Sequence, residues 1–539
     1  MNRIQNGFLA ILISLISFSV VAQKPKLVVG IVVDQMRYDY LNKYWNKFDD
    51  GGFKRLVNDG YNCKNMHYNY VPTYTGPGHC SIYTGTTPAS HGIISNNWFD
   101  KASGNVIYCV DDSTQQTIGS ASPNGKKSSA LNLTTTITDE LRLSNSKSKV
   151  ISISLKDRGA VLPAGHMPNG AFWFDGASGN WISSSAFTTD LPQWVKQYND
   201  QGKTKTYLSQ TWSTLKPKEQ YTESAADQNN YEGALNGEDK PVFPHDLKML
   251  FSETNQWSLI KYTPFGNTIT RELAVEAIKA EELGKDEHPD ILAVSFSATD
   301  YVGHRFGPQS IEHQDTYLRL DKDIERLLIQ LDSEVGKGNY TVFLTADHGA
   351  VRVPNLLIDN NIPAGYFSAS EIVEKANTYL SSIYGEGSWV RTFNNYQFFL
   401  DNDLIREKKI NLSLVEQQLV QFSMTVEGVA NAYTSSDLIA GTGDRPLSLM
   451  KLGYNQQRSG NVAIALQPGW ISYGPTGTTH GSPYTYDTHV PMLWYGSKIQ
   501  KGSTAREMFI TDIASTVGIL LDVSFPNGNI GKPIVEVVD

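Results

Sequence analysis

Apolar runs with the length of buried strands recur along the chain, and helical patterns separate several of them. The four clearest runs are LVVGIVV (27–33), KVISISL (149–155), ILAVSFSAT (291–299) and TVFLTA (341–346). Between the last two, apolar residues from Tyr317 to Leu331 repeat at helical spacing, and Gly336 or Gly338 ends that helix. A helix with an Asn267 or Thr268 cap is predicted upstream. Strands that alternate with helices predict an α/β fold with a mostly parallel central sheet flanked by helices.

Two stretches break this alternation and are predicted to be inserted cap or α+β subdomains of one catalytic domain, residues 24–539. Residues 160–260 are rich in aromatic side chains and polar turns, and most of their tryptophans are predicted to fill small hydrophobic cores. Residues 355–470 contain the strand NYQFFLD and a helix around 414–422. We expect both insertions to wall the mouth of a site. HVPMLWYG (489–496) is predicted to be a late strand of the fold.

Carboxylate and imidazole side chains follow three of the strand-like runs. In open α/β sheets, ligands collect beyond the carboxyl ends of the strands, and these side chains are donors that catalytic zinc sites use. Single residues of this kind are usually helix caps or turn residues, but their recurrence after separate strands favours a hydrolase with two metal ions. The candidate ligands are Asp34, Asp347 with the adjacent His348, Asp300 with His304 four residues later, and His480 in TGTTHGS.

Thr75, in the segment VPTYTGPGHCSIYTG, is the candidate nucleophile. A short helix after Gly78 would present free N–H groups to an anion, and the glycines would allow close backbone approach. A threonine hydroxyl needs a base or a metal to become nucleophilic, and a cation at Asp34 and Asp347 would supply that activation. A threonine before Gly-Pro is otherwise a common turn residue.

Charge and the N-terminus indicate the compartment and exclude some partners. The formal net charge is −9 and Lys and Arg form no runs, which argues against nucleic acid and anionic membrane surfaces as partners. Arg3, an apolar segment from Phe8 to Val21 and a cleavage point before Gln23 predict a signal peptide over residues 1–22, with an uncleaved anchor as the alternative. We therefore expect a periplasmic or secreted protein with no stable membrane anchor. The three cysteines are too few for a disulfide scaffold and are expected to be buried and inert.

Seven motifs in register resemble the alkaline phosphatase superfamily, and among its members the phosphate-irrepressible bacterial alkaline phosphatases (PafA type), which are similar to nucleotide pyrophosphatase/phosphodiesterases. The resemblance runs from about Lys26 to the C-terminus. The motifs are VVDQMR, PTYTGPGH, HGIISNNWFD, SLKDRG, SATDYVGHRFGP, TADHG and GTTHGSPYTYDTHVP.

The resemblance implies two Zn²⁺ ions and a phosphothreonine intermediate at Thr75. One zinc would be held by Asp300, His304 and His480. The other would be held by Asp34, Asp347 and His348, with the Thr75 oxygen beside it. Asn96, or its neighbour Asn97, would donate to a phosphoryl oxygen. Lys156 and Arg158, expected on one face of an extended strand end, would grip the phosphoryl oxygens, which favours monoesters.

The predicted function is a secreted, monomeric, zinc-dependent alkaline phosphatase that hydrolyses small-molecule phosphate monoesters of broad range. The alternative on the same scaffold is a phosphodiesterase or nucleotide pyrophosphatase, which would suit Lys156 and Arg158 as ordinary surface cations. The sulfatase motif is absent, because Ser-Ile-Tyr-Thr follows Cys80. An intracellular sugar-phosphate mutase fits poorly with export, and an exported metal-binding module without turnover remains a further alternative. Divalent ions other than zinc also suit such ligands.

Overall fold

The computed structural model describes residues 24–538, and the predicted signal peptide, residues 1–22, lies outside the described residues. A ten-stranded sheet forms the centre of the molecule, in the order β10-β2-β9-β8-β1-β7-β4-β5-β6-β3. Its strands are β1 Leu27–Val33, β2 Tyr61–Cys63, β3 Thr117–Ile118, β4 Val150–Ser154, β5 Gly170–Asp175, β6 Asn180–Ser184, β7 Asp290–Phe296, β8 Tyr340–Thr345, β9 Leu493–Gly496 and β10 Gly502–Thr504.

The five strands β8, β1, β7, β4 and β5 are neighbours and run parallel. The four apolar runs of the sequence form four of these strands, and every residue of each is buried. Strands buried on both faces read as continuous hydrophobic runs because helices cover a parallel sheet on its two sides. Antiparallel pairings appear only toward the edges, where β9 pairs with β8 and β6 pairs with β5.

Helices pack against this sheet and against one another. Helices α3 and α4 contact β4 and β7, α5 and α6 pack on α4, and α1 packs on α3 and α7. The α/β fold with a central sheet flanked by helices is thus confirmed. The helices named are α1 Thr75–Thr84, α2 Ile137–Ser144, α3 Asp157–Ala164, α4 Phe265–Ala280, α5 Ala298–Phe306, α6 Ile311–Leu331 and α7 Asp512–Leu521.

Further helices of the main body are Asp39–Lys43, Phe53–Asp59, Pro88–His91, Gln193–Asp200, Lys203–Leu208, Leu247–Thr254, Pro354–Asp359, Thr485–Thr488 and Val535–Val538. No helix within residues 24–538 combines the length and apolar character needed to cross a membrane.

Two local predictions differ from the structure. The expected strand 489–496 is split into His489–Val490, which pairs in a small separate sheet, and β9, which joins the central sheet. Pro491 lies between them and has no N–H for a ladder hydrogen bond. Helix α4 begins at Phe265 rather than after Asn267, and the Asn267 side chain instead accepts a hydrogen bond from the Ala298 N–H at the start of α5.

The stretch 355–470, predicted as an insertion, has a core of its own. Its sheet is four-stranded, and the strands are Val390–Asn394, Gln397–Leu400, Val429–Thr434 and Val462–Leu466. Helices Ile372–Tyr384, Asn402–Glu407, Leu412–Ser423, Ser435–Ala440 and Arg445–Gly453 accompany it. The stretch 160–260 differs, because β5 and β6 belong to the central sheet before the chain leaves it. Its tryptophans at 173, 181, 194 and 212 are buried, in agreement with their predicted role in cores.

Candidate active site

Four of the six candidate metal ligands lie at the carboxyl ends of three adjacent parallel strands. Asp34 follows β1 directly, Asp347 and His348 follow the end of β8, and Asp300 lies in the first turn of α5, just after β7. Because β8, β1 and β7 are consecutive in the sheet, strand order alone brings these side chains to one place. Asp347 and His348 stand beyond the last paired residue of β8, where the backbone is free to turn.

One cluster consists of Asp300, His304 and His480, whose candidate ligand atoms all lie within 4.8 Å of one another. Asp300 and His304 are one turn apart on α5, with 3.1 Å between Asp300 Oδ1 and His304 Nε2. The Nδ1 atom of His304 hydrogen-bonds the Thr478 carbonyl at 2.6 Å, and that of His480 hydrogen-bonds the Thr73 carbonyl at 2.7 Å. These bonds fix both rings with Nε2 turned toward the carboxylate, which is the usual orientation of metal-binding histidines.

The second cluster consists of Asp34, Asp347 and His348, all fully buried. His348 Nε2 lies 3.6 Å from Asp34 Oδ1 and 3.4 Å from Asp347 Oδ2, while its Nδ1 hydrogen-bonds the Gly349 carbonyl at 2.9 Å. The rings of His348 and His480 stack with centroids 3.4 Å apart, so the two clusters adjoin.

The residues of both clusters fit bound cations. Asp34 Oδ1 and Asp347 Oδ2 are buried and accept no hydrogen bond, a costly arrangement for carboxylates in a dry site. Burial, together with the neighbouring carboxylates, raises the pKa of Asp34 and of Asp347. Burial lowers the pKa of His480 to about 3 and that of His348 well below its usual range. The neutral imidazoles of His348 and His480, beside crowded carboxylates, suit a divalent cation such as Zn²⁺, whereas at His304 the neighbouring Asp300 outweighs burial and raises the pKa of the imidazole.

Thr75 stands beside both clusters, at the first residue of α1. The prediction of a helix starting after Gly78 is therefore wrong by one turn, since Gly76, Pro77 and Gly78 are themselves helical. Proline is compatible with the first turn, where its missing N–H has no partner to lose. The Thr75 hydroxyl oxygen lies 3.4 Å from His348 Nε2, 3.2 Å from Lys156 Nζ and 3.5 Å from Arg158 Nη2.

Lys156 and Arg158 reach Thr75 from the start of a helix and not from the end of a strand, as was expected. The predicted extended strand end stops at Ser154, Lys156 immediately precedes α3, and Arg158 lies in the first turn of that helix. Lys156 Nζ is 2.7 Å from Asp34 Oδ2 and 2.6 Å from Asp300 Oδ2, so it joins the two clusters. Burial opposes its charge, but these two carboxylates outweigh burial and raise the pKa of Lys156.

Asn96 adjoins the start of α1, whereas Asn97 does not. The Asn96 side-chain carbonyl accepts a hydrogen bond from the Gly76 N–H at 2.7 Å, which leaves its amide N–H groups available as donors next to Thr75. Asn97 begins the short strand Asn97–Phe99 and is exposed.

Two residues at the site were not predicted to have a role there. Gln35 was not predicted at all, yet its backbone N–H donates to Asp347 Oδ1 at 3.1 Å and its side chain donates to Asp300 Oδ1 at 2.7 Å. His79 lies one turn after Thr75 on α1, where its ring hydrogen-bonds the Thr75 carbonyl and Ser295 Oγ. Its spacing from Thr75 was the available signal.

Three other histidines have partners outside the two clusters. His91 hydrogen-bonds Ser81 Oγ at 2.9 Å, and His166 pairs with Asp139 at 2.8 Å. His489 stacks on Tyr38 and His67, outside both clusters. The three cysteines are free and buried, as expected.

Comparison with known proteins identifies the family of the chain. The family described as type I phosphodiesterase / nucleotide pyrophosphatase matches residues 28–490. Alkaline phosphatase PhoV from Synechococcus elongatus is 45% identical over 96% of this chain and 93% of its own length. Alkaline phosphatase PafA from Elizabethkingia meningoseptica is 42% identical over 96% of this chain and 95% of its own. A protein named calcium-transporting ATPase from Myroides odoratus is 44% identical over 97% of each chain.

The fold matches a solved relative closely. A crystal structure of wild-type PafA superposes with a TM-score of 0.92 at 41% identity, covering 96% of this chain and 99% of the PafA chain. The chain therefore belongs to the type I phosphodiesterase / nucleotide pyrophosphatase family. Within that family the protein is a phosphatase, related along its whole length to the alkaline phosphatases PafA and PhoV.

Proposed function

We propose that the protein is an exported, zinc-dependent phosphatase that hydrolyses phosphate monoesters of broad range through a phosphothreonine intermediate at Thr75. The observation that supports this most directly is the surroundings of the Thr75 hydroxyl. Lys156 Nζ, Arg158 Nη2 and His348 Nε2 all lie within 3.5 Å of its oxygen. A hydroxyl at a helix start, among cations and carboxylate–imidazole clusters, is suited to attack phosphorus.

Two zinc ions are part of the proposal. Asp300, His304 and His480 would hold one, and Asp34, Asp347 and His348 would hold the other, with the Thr75 oxygen beside it. When bound, two such ions supply Lewis-acid charge that favours the deprotonated nucleophile and the leaving oxygen. Asp34 Oδ1 and Asp347 Oδ2, which are buried and accept no hydrogen bond, support this assignment.

The chain's own residues carry the remaining steps. The Thr75 oxygen attacks phosphorus, forming a new O–P bond while the bond from phosphorus to the ester oxygen breaks, and the hydroxyl proton of Thr75 ends on the departing alcohol. Lys156, Arg158 and the amide of Asn96 donate hydrogen bonds to the phosphoryl oxygens, and the two cations offset their negative charge. Water then attacks the phosphothreonine, releases inorganic phosphate and restores the Thr75 hydroxyl. The Thr75 carbonyl is held by His79 at 2.9 Å, which keeps the first turn of α1 in place.

Lys156 and Arg158 favour monoesters over diesters. A monoester carries more charge on the transferred group and has no second ester substituent, so two cations beside the phosphoryl oxygens stabilise it selectively. The second candidate is a phosphodiesterase or nucleotide pyrophosphatase, and the family description of the chain supports keeping it in view.

We further infer that residues 1–22 are a cleaved signal peptide and that the mature protein is a periplasmic or secreted monomer. The support is the charged start, the apolar segment and the small residue before Gln23.

The test compares kcat/KM for phenyl phosphate with kcat/KM for its methyl diester, using metal-replete protein. We expect a strong monoester preference in the wild type, which collapses in a Lys156→Ala/Arg158→Ala variant. Each lost charge-assisted hydrogen bond should cost about tenfold to a hundredfold on the monoester. Lys337→Ala, at an exposed lysine just before β8, serves as the control for removing a positive charge away from the site. A diester preference that the double variant leaves unchanged would make the protein a phosphodiesterase.

A further inference from the structure

A cavity of about 250 Å³ extends the site beyond Lys156 and Arg158. Its lining includes the cations Lys127, Lys156, Arg158 and Lys261 and one carboxylate, that of Asp157. Such a local excess of positive charge is notable in a chain with a formal net charge of −9. A concave surface lined by one sign of charge concentrates ligands of the opposite sign.

Three of these four cations already have partners. Lys156 pairs with Asp34 and Asp300, Lys127 pairs with Asp111 and Asp157, and Arg158 hydrogen-bonds Tyr108 at 2.9 Å. Asp157, the carboxylate of the cavity wall, accepts hydrogen bonds from the Tyr108 hydroxyl and from the backbone N–H of Arg158.

Lys261 is different. It lies in the last turn of the 3₁₀ helix Trp257–Tyr262 and is half-buried. Its side chain makes no ion pair within residues 24–538. Its ammonium nitrogen instead lies 5.6 Å from the ring centroid of Phe174 and 5.8 Å from that of Tyr301. Aromatic rings hold a cation in position but do not neutralise it, so Lys261 keeps a full charge to offer a ligand.

Tyr301 lies between Lys261 and the candidate active site. Lys156 Nζ lies 5.2 Å from the centroid of the same ring, and Tyr301 is the residue after the candidate metal ligand Asp300. Tyr301 also borders a second cavity of about 450 Å³, whose lining includes Tyr262, His304 and Arg305. Arg305 also makes no ion pair in the described part of the chain, and its guanidinium carbon lies 5.2 Å from the Tyr262 ring centroid.

We propose that Lys261 forms a second anion subsite, which binds a further phosphate or carboxylate group of a phosphate monoester whose transferred phosphoryl group is held at Thr75. This inference rests on the proposed function and specifies its preferred substrates as bisphosphates and other doubly anionic monoesters. The four-carbon stem of lysine lets one ammonium meet anionic groups at different spacings from the reacting phosphorus. Lys127, on the same cavity wall, adds to the attraction.

The experiment measures kcat/KM for fructose 1,6-bisphosphate and for fructose 1-phosphate, a pair that differs by one phosphate group, in metal-replete wild type and Lys261→Met. The ratio of the two constants should fall about fivefold in the variant, the effect of one partly screened ion pair. The rate on fructose 1-phosphate should stay near that of the wild type, which also shows that the variant folds. Lys261→Arg should restore the ratio, and Lys261→Gln should repeat the loss.

Two controls make the result specific. Lys337→Met removes the same charge near the amino end of β8, away from the carboxyl ends of the strands, and should leave the ratio unchanged. Raising the ionic strength should reduce the wild-type ratio toward that of Lys261→Met, because screening weakens a half-exposed charge pair.

An unchanged ratio in Lys261→Met would overturn the subsite. A loss in Arg305→Met that is absent from Lys261→Met would also overturn it, by placing the second anion on the other side of the Tyr301 ring. A wild type that hydrolyses neither substrate would instead contradict the proposed phosphatase function, and the subsite with it.

Discussion

Gln35 provides the sharpest test of how the metal ligands are held in place. It follows Asp34 with a φ of 67°, a left-handed conformation that is uncommon for a residue other than glycine. This turn directs its backbone N–H to Asp347 and its side-chain amide to Asp300, one ligand from each cluster. The only other polar atom of its side chain, Oε1, is buried and accepts no hydrogen bond.

The substitution Gln35→Met keeps the length of the side chain and removes its donor to Asp300. A buried hydrogen bond to a charged group contributes about 1.5–3 kcal/mol, and loss of such a ligand-orienting partner weakens metal binding about tenfold to a hundredfold. The unpaired Oε1 disappears as well, which offsets part of the lost hydrogen bond in the metal-free protein. The free energy of unfolding of the metal-free protein should therefore change less than the free energy of metal binding. The backbone bond to Asp347 persists in the variant.

The assay is competition for Zn²⁺ between the protein and a chelator of known affinity, with kcat/KM for phenyl phosphate measured at saturating metal. We expect weaker zinc binding in Gln35→Met and partial recovery of activity when zinc is added. Gln418→Met, at a glutamine that hydrogen-bonds Tyr379 in the 355–470 stretch, is the control. Zinc affinity equal to that of the wild type would refute the reasoning.

Three further predictions follow from the same structure. Gly303→Ala should also weaken zinc binding, since its Cβ would lie 1.9 Å from Gln35 Oε1 and displace that amide from Asp300; equal affinity in competition assays would contradict this. Burial opposes the charge of His245, but hydrogen bonds to Glu238 and Glu312 raise its pKa to about 9. The stabilisation of the folded protein by protonated His245 is therefore complete below about pH 6.5 and is lost as the pH rises through about 9. Over that range Tm should fall more steeply in the wild type than in His245→Gln. Chelation of the metals should lower Tm by several degrees at neutral pH, because the crowded carboxylates of both clusters lose their counter-charge; an unchanged Tm in calorimetry would argue against bound cations.

The sequence predicts the centre of this fold well, for a physical reason. Parallel strands buried on both faces must be continuously apolar, so LVVGIVV and its counterparts are visible without any alignment. The candidate ligands are visible because strand ends meet at one edge of the sheet. Local boundaries are less predictable: Lys156 and Arg158 converge on Thr75 from the start of α3, although an extended strand end was expected to present them.

Residues that act through tertiary contacts could not be predicted. Gln35 is 265 positions from Asp300, and nothing about a glutamine after an aspartate indicates that its side chain will donate to a ligand of one cluster and its backbone N–H to a ligand of the other. Lys261 lies in an aromatic-rich stretch with no catalytic pattern, and only packing places it beside Tyr301. Asn267 looked like a helix cap because the sequence does not show that the Ala298 N–H needs its side chain.

The most direct measurement of the central claim is a search for phosphate on Thr75 during turnover. Metal-replete mature protein would be mixed with excess phenyl phosphate, quenched in acid at early times, digested and mapped by mass spectrometry. The account predicts one phosphoryl group on the peptide that contains Thr75, absent from a Thr75→Ala variant that has lost nearly all activity but still binds zinc. Full hydrolysis by Thr75→Ala, or a phosphoryl group trapped on another residue, would contradict the account.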